Sequence, residues 1–204
     1  MKALLMSGGL DSAALAWMHR PDLCVTVDYG QRSAEGECVA SKALCDQMGL
    51  QHLVLAIDHS SIGSGDMSNA APYKDAQAPE FWPYRNQCLI TLAAMALVGR
   101  GLEELMIGIV STDLHADGSV EFVKAMDRLL QLQEGSVRLV APALEMTGAE
   151  LLRRSGFPYD LIGLTFSCHT HRYACGQCGG CAKHRVTVDE VYGMVKSAIG
   201  VGEL

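Results

Sequence analysis

The chain has 204 residues, 49% of them hydrophobic, which is enough to bury one real core with a small appendage. Its 16 Lys and Arg against 23 Asp and Glu leave a formal charge of −7, which argues against a partner gripped by clustered basic residues. No nucleic-acid partner is therefore expected, and small-molecule or protein substrates are favoured. No stretch reaches the apolar length of a membrane span, and the chain opens on a strand pattern rather than a charged and then apolar leader; a soluble, cytoplasmic protein with no membrane partner is expected.

Residues 2–6 are a short apolar run, followed by Ser7-Gly8-Gly9-Leu10-Asp11-Ser12 and a helix-like stretch over residues 13–19. A strand that turns through Ser-Gly-Gly straight into a helix aims backbone N–H groups and a positive dipole end at one spot, which suits a phosphate. The two glycines let the backbone approach a ligand closely, the serines offer hydroxyls, and Asp11 is a carboxylate suited to a bound cation. There is no Gly-Lys-Ser/Thr ending, so this is not a Walker loop. The same letters also suit an ordinary glycine-rich turn with an N-cap serine. The hexapeptide resembles the SGGxDS pyrophosphate loop of ATP pyrophosphatases, enzymes that split ATP into AMP and pyrophosphate.

The β-branched run over residues 23–27 reads as a second strand ending in Asp28-Tyr29-Gly30-Gln31, residues 34–48 as a helix stopped by Gly49, and residues 52–57 as a third strand. Alternating strands and helices predict a parallel α/β sheet, with ligands at the carboxyl ends of its strands, so the Ser7–Ser12 loop and residues 28–31 are expected to share a crevice. Residues 58–82 lack periodicity and read as a long loop, either a lid or a surface excursion. Pro83-Tyr84-Arg85-Asn86 opens a strongly apolar helix over residues 87–98, expected to be buried against the sheet or a second subunit. Arg85 at its mouth suits a phosphate or carboxylate, and equally a structural ion pair. Residues 104–110 read as the fourth strand, ending in Ser111-Thr112-Asp113-Leu114-His115-Ala116-Asp117, acidic groups able to hold magnesium or recognise an amine-bearing ring. An amphipathic helix over 122–133 and a fifth strand over 137–144 follow. Thr147-Gly148-Ala149-Glu150 fits a capping box, and Thr187-Val188-Asp189-Glu190 reads as the cap of a final helix running to about residue 198.

Four of the eight cysteines, Cys24, Cys38, Cys45 and Cys88, are scattered through apolar or helical stretches and read as packing residues. The other four, Cys168, Cys175, Cys178 and Cys181, are spaced for a closed tetrahedral zinc site, which is structural because it leaves no position for a reacting water. An iron–sulfur cluster uses the same ligands, and His169, His171 and His184 are second-choice ligands.

Taken together, SGGLDS at Ser7, DYGQR at Asp28, PYRN at Pro83, TD at Thr112 with FVKAM at Phe122, and SCHTHRYACGQCGGC at Ser167 resemble the 7-cyano-7-deazaguanine synthase family of the queuosine pathway over nearly the whole chain. The resemblance implies a PP-loop α/β fold, a parallel five-stranded sheet with helices on both faces, in which residues 1–150 bind ATP and residues 151–204 form a zinc-binding region packed on the same domain. It implies conversion of 7-carboxy-7-deazaguanine, with ammonia and ATP, to the nitrile by a homodimer using Mg2+ and structural zinc. Ser7, Gly8, Gly9, Leu10, Asp11, Ser12, Asp28 and Gln31 are the expected nucleotide contacts, and Asp11, Arg85, Asn86 and Asp113 the expected catalytic groups. Two features depart from the family pattern. A longer SGYPDCR-like segment after the aspartate matched by Asp113 is replaced by Leu114–Val120, and a lysine usual near Glu150 is replaced by Gly148. The first departure motivates a second reading, a relative that joins an activated acid to a different amine or a protein terminus; a non-catalytic, zinc-stabilised nucleotide-binding module is a third.

Overall fold

The computed structural model describes residues 1–76, 78–113 and 115–198, with side chains to residue 193. Gln77 and Leu114, the latter the first residue of the altered loop, lie outside the described residues. Five parallel strands, β1 (Lys2–Leu5), β2 (Leu23–Asp28), β3 (His52–Ala56), β4 (Glu104–Met106) and β5 (Arg138–Val140), pair in the order β3-β2-β1-β4-β5. Leu4 at the centre lies in register with Cys24 on one side and Met106 on the other. The helices are α1 (Leu10–His19), α2 (Ala34–Met48), α3 (Arg85–Leu97), α4 (Val120–Gln131), α5 (Gly148–Ser155) and α6 (Gly179–Ala198). None of the described helices is long and apolar enough to cross a membrane.

Strand order explains the layers. Crossovers between parallel strands are almost always right-handed, so helices change face when the direction of strand addition reverses after β3. Side chains alternate along each strand, and the two faces of β1 and β2 accordingly feed two cores. Leu4, Met6 and Cys24 pack against α1, α2 and α5 through Ala13, Leu44 and Leu151. Ala3, Val25 and Val27 pack against α3 and α4 through Ile90, Leu97 and Met126. The reversal lies between β1 and β4, where the loops that follow two neighbouring strands diverge and leave a crevice.

The expected parallel five-stranded α/β sheet is present, and α2 spans the expected residues, capped by Gly49 at φ 65°. Two strands are shorter than their apolar runs. β4 ends at Met106, with Ile107 N still donating to the Val140 carbonyl at 2.9 Å and Ile107 and Ile109 lining the crevice, and β5 is an edge strand ended at Ala141-Pro142, where proline offers no N–H. Helix α3 buries Ile90, Ala93 and Leu97 on the sheet but leaves Met95 69% exposed, so only one side of this apolar helix is covered within the chain. The expected cap at Thr187 is not a helix start. α6 begins at Gly179, and Thr187 sits within it, its Oγ1 donating to the Lys183 carbonyl at 2.9 Å, the back-bonding available to a mid-helix threonine. Of the scattered cysteines, Cys24 and Cys45 are buried in the core and Cys38 and Cys88 half-buried, all with free thiols.

At α5 the capping box is complete: Thr147 Oγ1 accepts from Glu150 N at 3.1 Å, and Glu150 accepts from Thr147 N at 2.7 Å. These contacts draw the Glu150 carboxyl below its ordinary value, led by the Thr147 N–H. Thr147→Ala is expected to lower stability by about 1 kcal/mol, read as a lower urea midpoint at unchanged slope. An unchanged midpoint would count against the cap.

Candidate active site

The loop after β1 is built so that only glycine serves at its second position. Gly8 has φ +76°, and a Cβ there would lie 2.9 Å from Ala40 Cβ and 3.1 Å from the Glu37 carbonyl of α2. Its own carbonyl accepts from Phe166 N at 2.8 Å, which ties the segment before the cysteines to the loop. Ser7 Oγ accepts from Gly9 N at 3.3 Å and lies 3.2 Å from Ser12 Oγ, and Ser12 Oγ donates to the Gly9 carbonyl. The turn is thereby held with the first turn of α1 facing a cavity of about 660 Å³. Gly8→Ala is expected to cost about 1–3 kcal/mol through its left-handed backbone and the contact with α2, and to weaken ATP binding in the same titration. Wild-type ATP affinity in a stable Gly8→Ala protein would contradict this account of the loop.

Ser7, Gly9, Leu10, Asp11, Ser12, Arg85, Asn86 and Asp113 all line this one cavity, so side chains from three separate segments meet there. Asp113 Oδ2 accepts from Val110 N at 3.1 Å, and its Oδ1 accepts from Lys183 Nζ at 2.7 Å. The same ammonium is 3.5 Å from Asp11 Oδ2. Burial raises the Asp11 pKa, the Lys183 charge lowers it and Asp113 raises it, with a net upward shift. Two carboxylates facing one cavity are a hard oxygen donor set of the kind magnesium takes.

Gly8, Asp28 and Gln31 are not among the lining residues. Gly8 is covered by α2. Asp28 turns back on its own loop, Oδ1 accepting from Gly30 N at 3.0 Å. Gln31 is buried and fully engaged: Oε1 accepts from Tyr29 N, and Nε2 donates to the Val27 carbonyl and to Glu37 Oε2 at 3.0 Å. The loop after β2 reaches the cavity instead through Tyr29.

Elsewhere in the lining, Arg85 Nη1 donates to Met67 Sδ at 2.6 Å and lies in the fields of Tyr29, Asp117 and Glu37. Burial opposes the guanidinium charge, and these neighbours more than offset it. Glu37 accepts from Ser33 Oγ at 2.6 Å, yet burial still carries its carboxyl above the ordinary range. Val25, Val27, Leu89, Ile107 and Ile109 complete the wall, and Trp82 stacks edge-on against Tyr29 at 5.1 Å. An apolar slot with a few convergent polar groups at its end fits a flat heterocycle. Residues 58–82 contribute Met67, Ala78 and Glu80 to the lining.

The Sγ atoms of Cys168, Cys175, Cys178 and Cys181 lie within 4.8 Å of one another. Cys168 and Cys178, and Cys175 and Cys181, are each 3.9 Å apart, close to the edge of about 3.8 Å that a tetrahedron of 2.3 Å zinc–sulfur bonds requires. The Gln177 N–H, the Thr170 hydroxyl and the Cys178 N–H draw the Cys175 thiol below its ordinary value, whereas burial pushes the Cys181 thiol up to about 12. Of the histidines, His171 Nδ1 lies 2.8 Å from Thr170 Oγ1 and His184 Nδ1 3.2 Å from Ser167 Oγ, while His169 lines the cavity with its buried Nδ1 unpartnered.

Reading the sequence did not single out Tyr29, Glu37 or Lys183. Glu37 falls in the first turn of a helix, where an acidic residue already has a reason to be. Lys183 lies between the last cysteine and the expected cap at Thr187, where it reads as a loop residue; carrying the α6 pattern back to the Gly179-Gly180 pair would have shown it one turn above Thr187 on the same face.

The family described as "Queuosine biosynthesis protein QueC" matches residues 2–191. Among curated relatives, a protein of Methanosarcina barkeri named 7-cyano-7-deazaguanine synthase is 30% identical, the match covering 90% of this chain and 91% of that protein. A protein of Methanothermobacter thermautotrophicus with the same name is 31% identical over 91% of this chain and 93% of its own length. One from Sulfurisphaera tokodaii, named 7-cyano-7-deazaguanine synthase 1, is 30% identical over 91% of each. With nearly every described residue inside the matched span, the chain belongs to the QueC family of queuosine biosynthesis proteins.

Proposed function

We propose that this protein is an ATP-dependent carbon–nitrogen ligase that adenylates the carboxylate of 7-carboxy-7-deazaguanine and converts it with ammonia to 7-cyano-7-deazaguanine. The observation that carries the reading is a single cavity lined together by the SGGLDS loop, two carboxylates, a buried arginine and an apolar wall. Family membership and the names of the relatives support the same reaction.

A carboxylate is a poor electrophile because its leaving group would be oxide. Attack of its oxygen on the α-phosphorus of ATP forms the acyl adenylate and releases pyrophosphate; ammonia then displaces AMP to give the amide. A second adenylation, at the amide oxygen, lets AMP leave with that oxygen as the N–H protons are lost, and the nitrile results. Ser7, Gly8, Gly9, Leu10, Asp11 and Ser12 bind the nucleotide: Gly9 to Ser12 face it, and Gly8 provides the turn. Asp28 and Gln31 belong to the nucleotide side as shapers of the neighbouring loop, Gln31 by fixing Tyr29 and Glu37. Asp11 and Asp113 would hold magnesium, which neutralises charge on the departing pyrophosphate. Arg85 and Asn86 orient the acid so that its carboxylate meets the loop. The four cysteines hold structural zinc, and residues 151–204 act as a zinc-binding region on the ATP-binding body of residues 1–150. A homodimer is what the resemblance implies.

Incubation with ATP, magnesium, ammonia and 7-carboxy-7-deazaguanine tests the reaction, with AMP release and product mass followed together. The nitrile with two AMP per product is expected. AMP with an amide to another amine would instead favour the second reading motivated by residues 114–120, and ATP binding without AMP from any acid would overturn the enzyme.

A further inference from the structure

The SGGLDS loop contains no cation, and the one that stands beside it comes from elsewhere in the chain. Among the described lining residues, Arg85 and Lys183 are the arginine and lysine of the cavity, and Arg85 is engaged with Met67 and in the field of Glu37 and Asp117. Lys183 lines the cavity 2.7 Å from Asp113 and 3.5 Å from Asp11, with 43% of its side chain exposed. Helix α5 approaches the same carboxylate with bare backbone: a Cβ at Gly148 would lie 3.0 Å from Asp11 Oδ1 and 3.5 Å from Thr187 Cγ2. Positive charge can therefore reach the loop from α6 and not from α5.

The position is also braced. Lys183 lies in the first turns of α6, two residues after Cys181, and its carbonyl accepts from Thr187 Oγ1. An ammonium held by Asp113 on a helix anchored through the cysteine cluster is preorganised, which is how a positioned charge becomes worth more than a mobile one.

On the adenylating reading given above, we infer that Lys183 is a catalytic residue whose ammonium contacts the α-phosphate of ATP, Asp113 holding it in place. As the substrate oxygen bonds to the α-phosphorus, the bond from that phosphorus to the bridging oxygen breaks and pyrophosphate leaves with its electron pair. No proton is transferred. The charge that builds on the non-bridging α-phosphate oxygens meets the Lys183 ammonium. A lysine that merely neutralises two carboxylates behaves differently, because its removal would free both for magnesium.

Lys183→Met and Lys183→Arg separate these roles. For Lys183→Met with wild-type zinc content and melting temperature, kcat for AMP release is expected to fall ~100-fold or more, with KM for ATP changed less than ~10-fold. Full kcat with a lower magnesium requirement would overturn the inference. Should the methionine variant lose its fold, Lys183→Arg decides, since it keeps the charge but moves it outward: kcat lowered ~10-fold supports catalysis, and wild-type kcat refutes it. A readout free of turnover uses the phosphorus resonances of the bound non-hydrolysable analogue with a methylene between the α- and β-phosphates. The α resonance is expected to shift between wild type and variant more than β or γ, and an unshifted α resonance would defeat the assignment even in active protein. If the wild type binds this analogue but makes no AMP from the deazaguanine acid, the reaction is misassigned while the phosphorus spectrum still decides Lys183; no binding at all defeats both.

Discussion

Asp11→Ala is expected to lower AMP release ~100-fold or more, about 2.7 kcal/mol of barrier, while leaving the fold intact. The residue sits in the first turn of α1, beyond the strand end, with its carboxylate directed to the cavity and to Lys183 rather than into either core. Loss of structure is not expected, because the apolar neighbours that hold α1 are Ala13, Ala14 and Leu15. Electrostatics point the same way. Burial carries the Asp11 pKa above its ordinary value of 3.8. A group with a raised folded pKa contributes stability below its unfolded pKa and loses that contribution as pH rises through the folded value. Lys183 still has Asp113 at 2.7 Å to pair with when Asp11 is removed. The variant is therefore expected to melt no lower than wild type at pH above the raised Asp11 pKa, with any relative loss on its acid side. AMP release within ~10-fold of wild type would remove Asp11 from the catalytic set.

That a residue can be essential to the reaction and dispensable to the fold also explains which parts of this protein were legible in the sequence. Ser7 to Ser12, the helix Ala34–Met48 and the capping box at Thr147 carry local signals, because glycine, a left-handed cap and a threonine spaced from a glutamate act within a few residues. The four cysteines are legible for the same reason. What the sequence hid is tertiary. Gln31 follows a strand on the functional edge and has the chemistry of a ligand contact, yet its amide is consumed by Val27, Tyr29 and Glu37. The apolar letters of residues 107–110 continue the β4 pattern, and only the tertiary structure shows that Ile107 and Ile109 form cavity wall while Val110 packs into a core. Thr187-Val188-Asp189-Glu190 has the letters of a helix start, and nothing local says that the cysteine segment has started the helix two turns earlier. That misplaced start is also what concealed Lys183.

The same helix makes the cysteine cluster matter to the reaction. Cys178→Ser is expected to drop zinc well below one per chain, to lower the melting temperature by more than ~10 °C and to reduce AMP release in parallel. Cys178 is buried, its sulfur accepts from His169 N at 3.4 Å and Cys181 N at 3.5 Å, and it lies 3.9 Å from Cys168 Sγ. A structural zinc site contributes roughly 10–16 kcal/mol of apparent binding free energy, so losing it costs far more than one sulfur-for-oxygen exchange in packing. Its loss also frees the start of α6 at Gly179, four residues before Lys183, and loosens the segment whose Phe166 N–H holds the Gly8 carbonyl. Chelation of the wild type should reproduce the losses in stability and AMP release together, and zinc should restore both to the wild type but not to the serine variant. A Cys178→Ser protein that keeps its melting temperature and its full metal content would show that these sulfurs are not what holds zinc. One that loses zinc but adenylates at the wild-type rate would show that α6 holds Lys183 over the loop without metal, and that the cluster and the active site are coupled only through the stability of the chain.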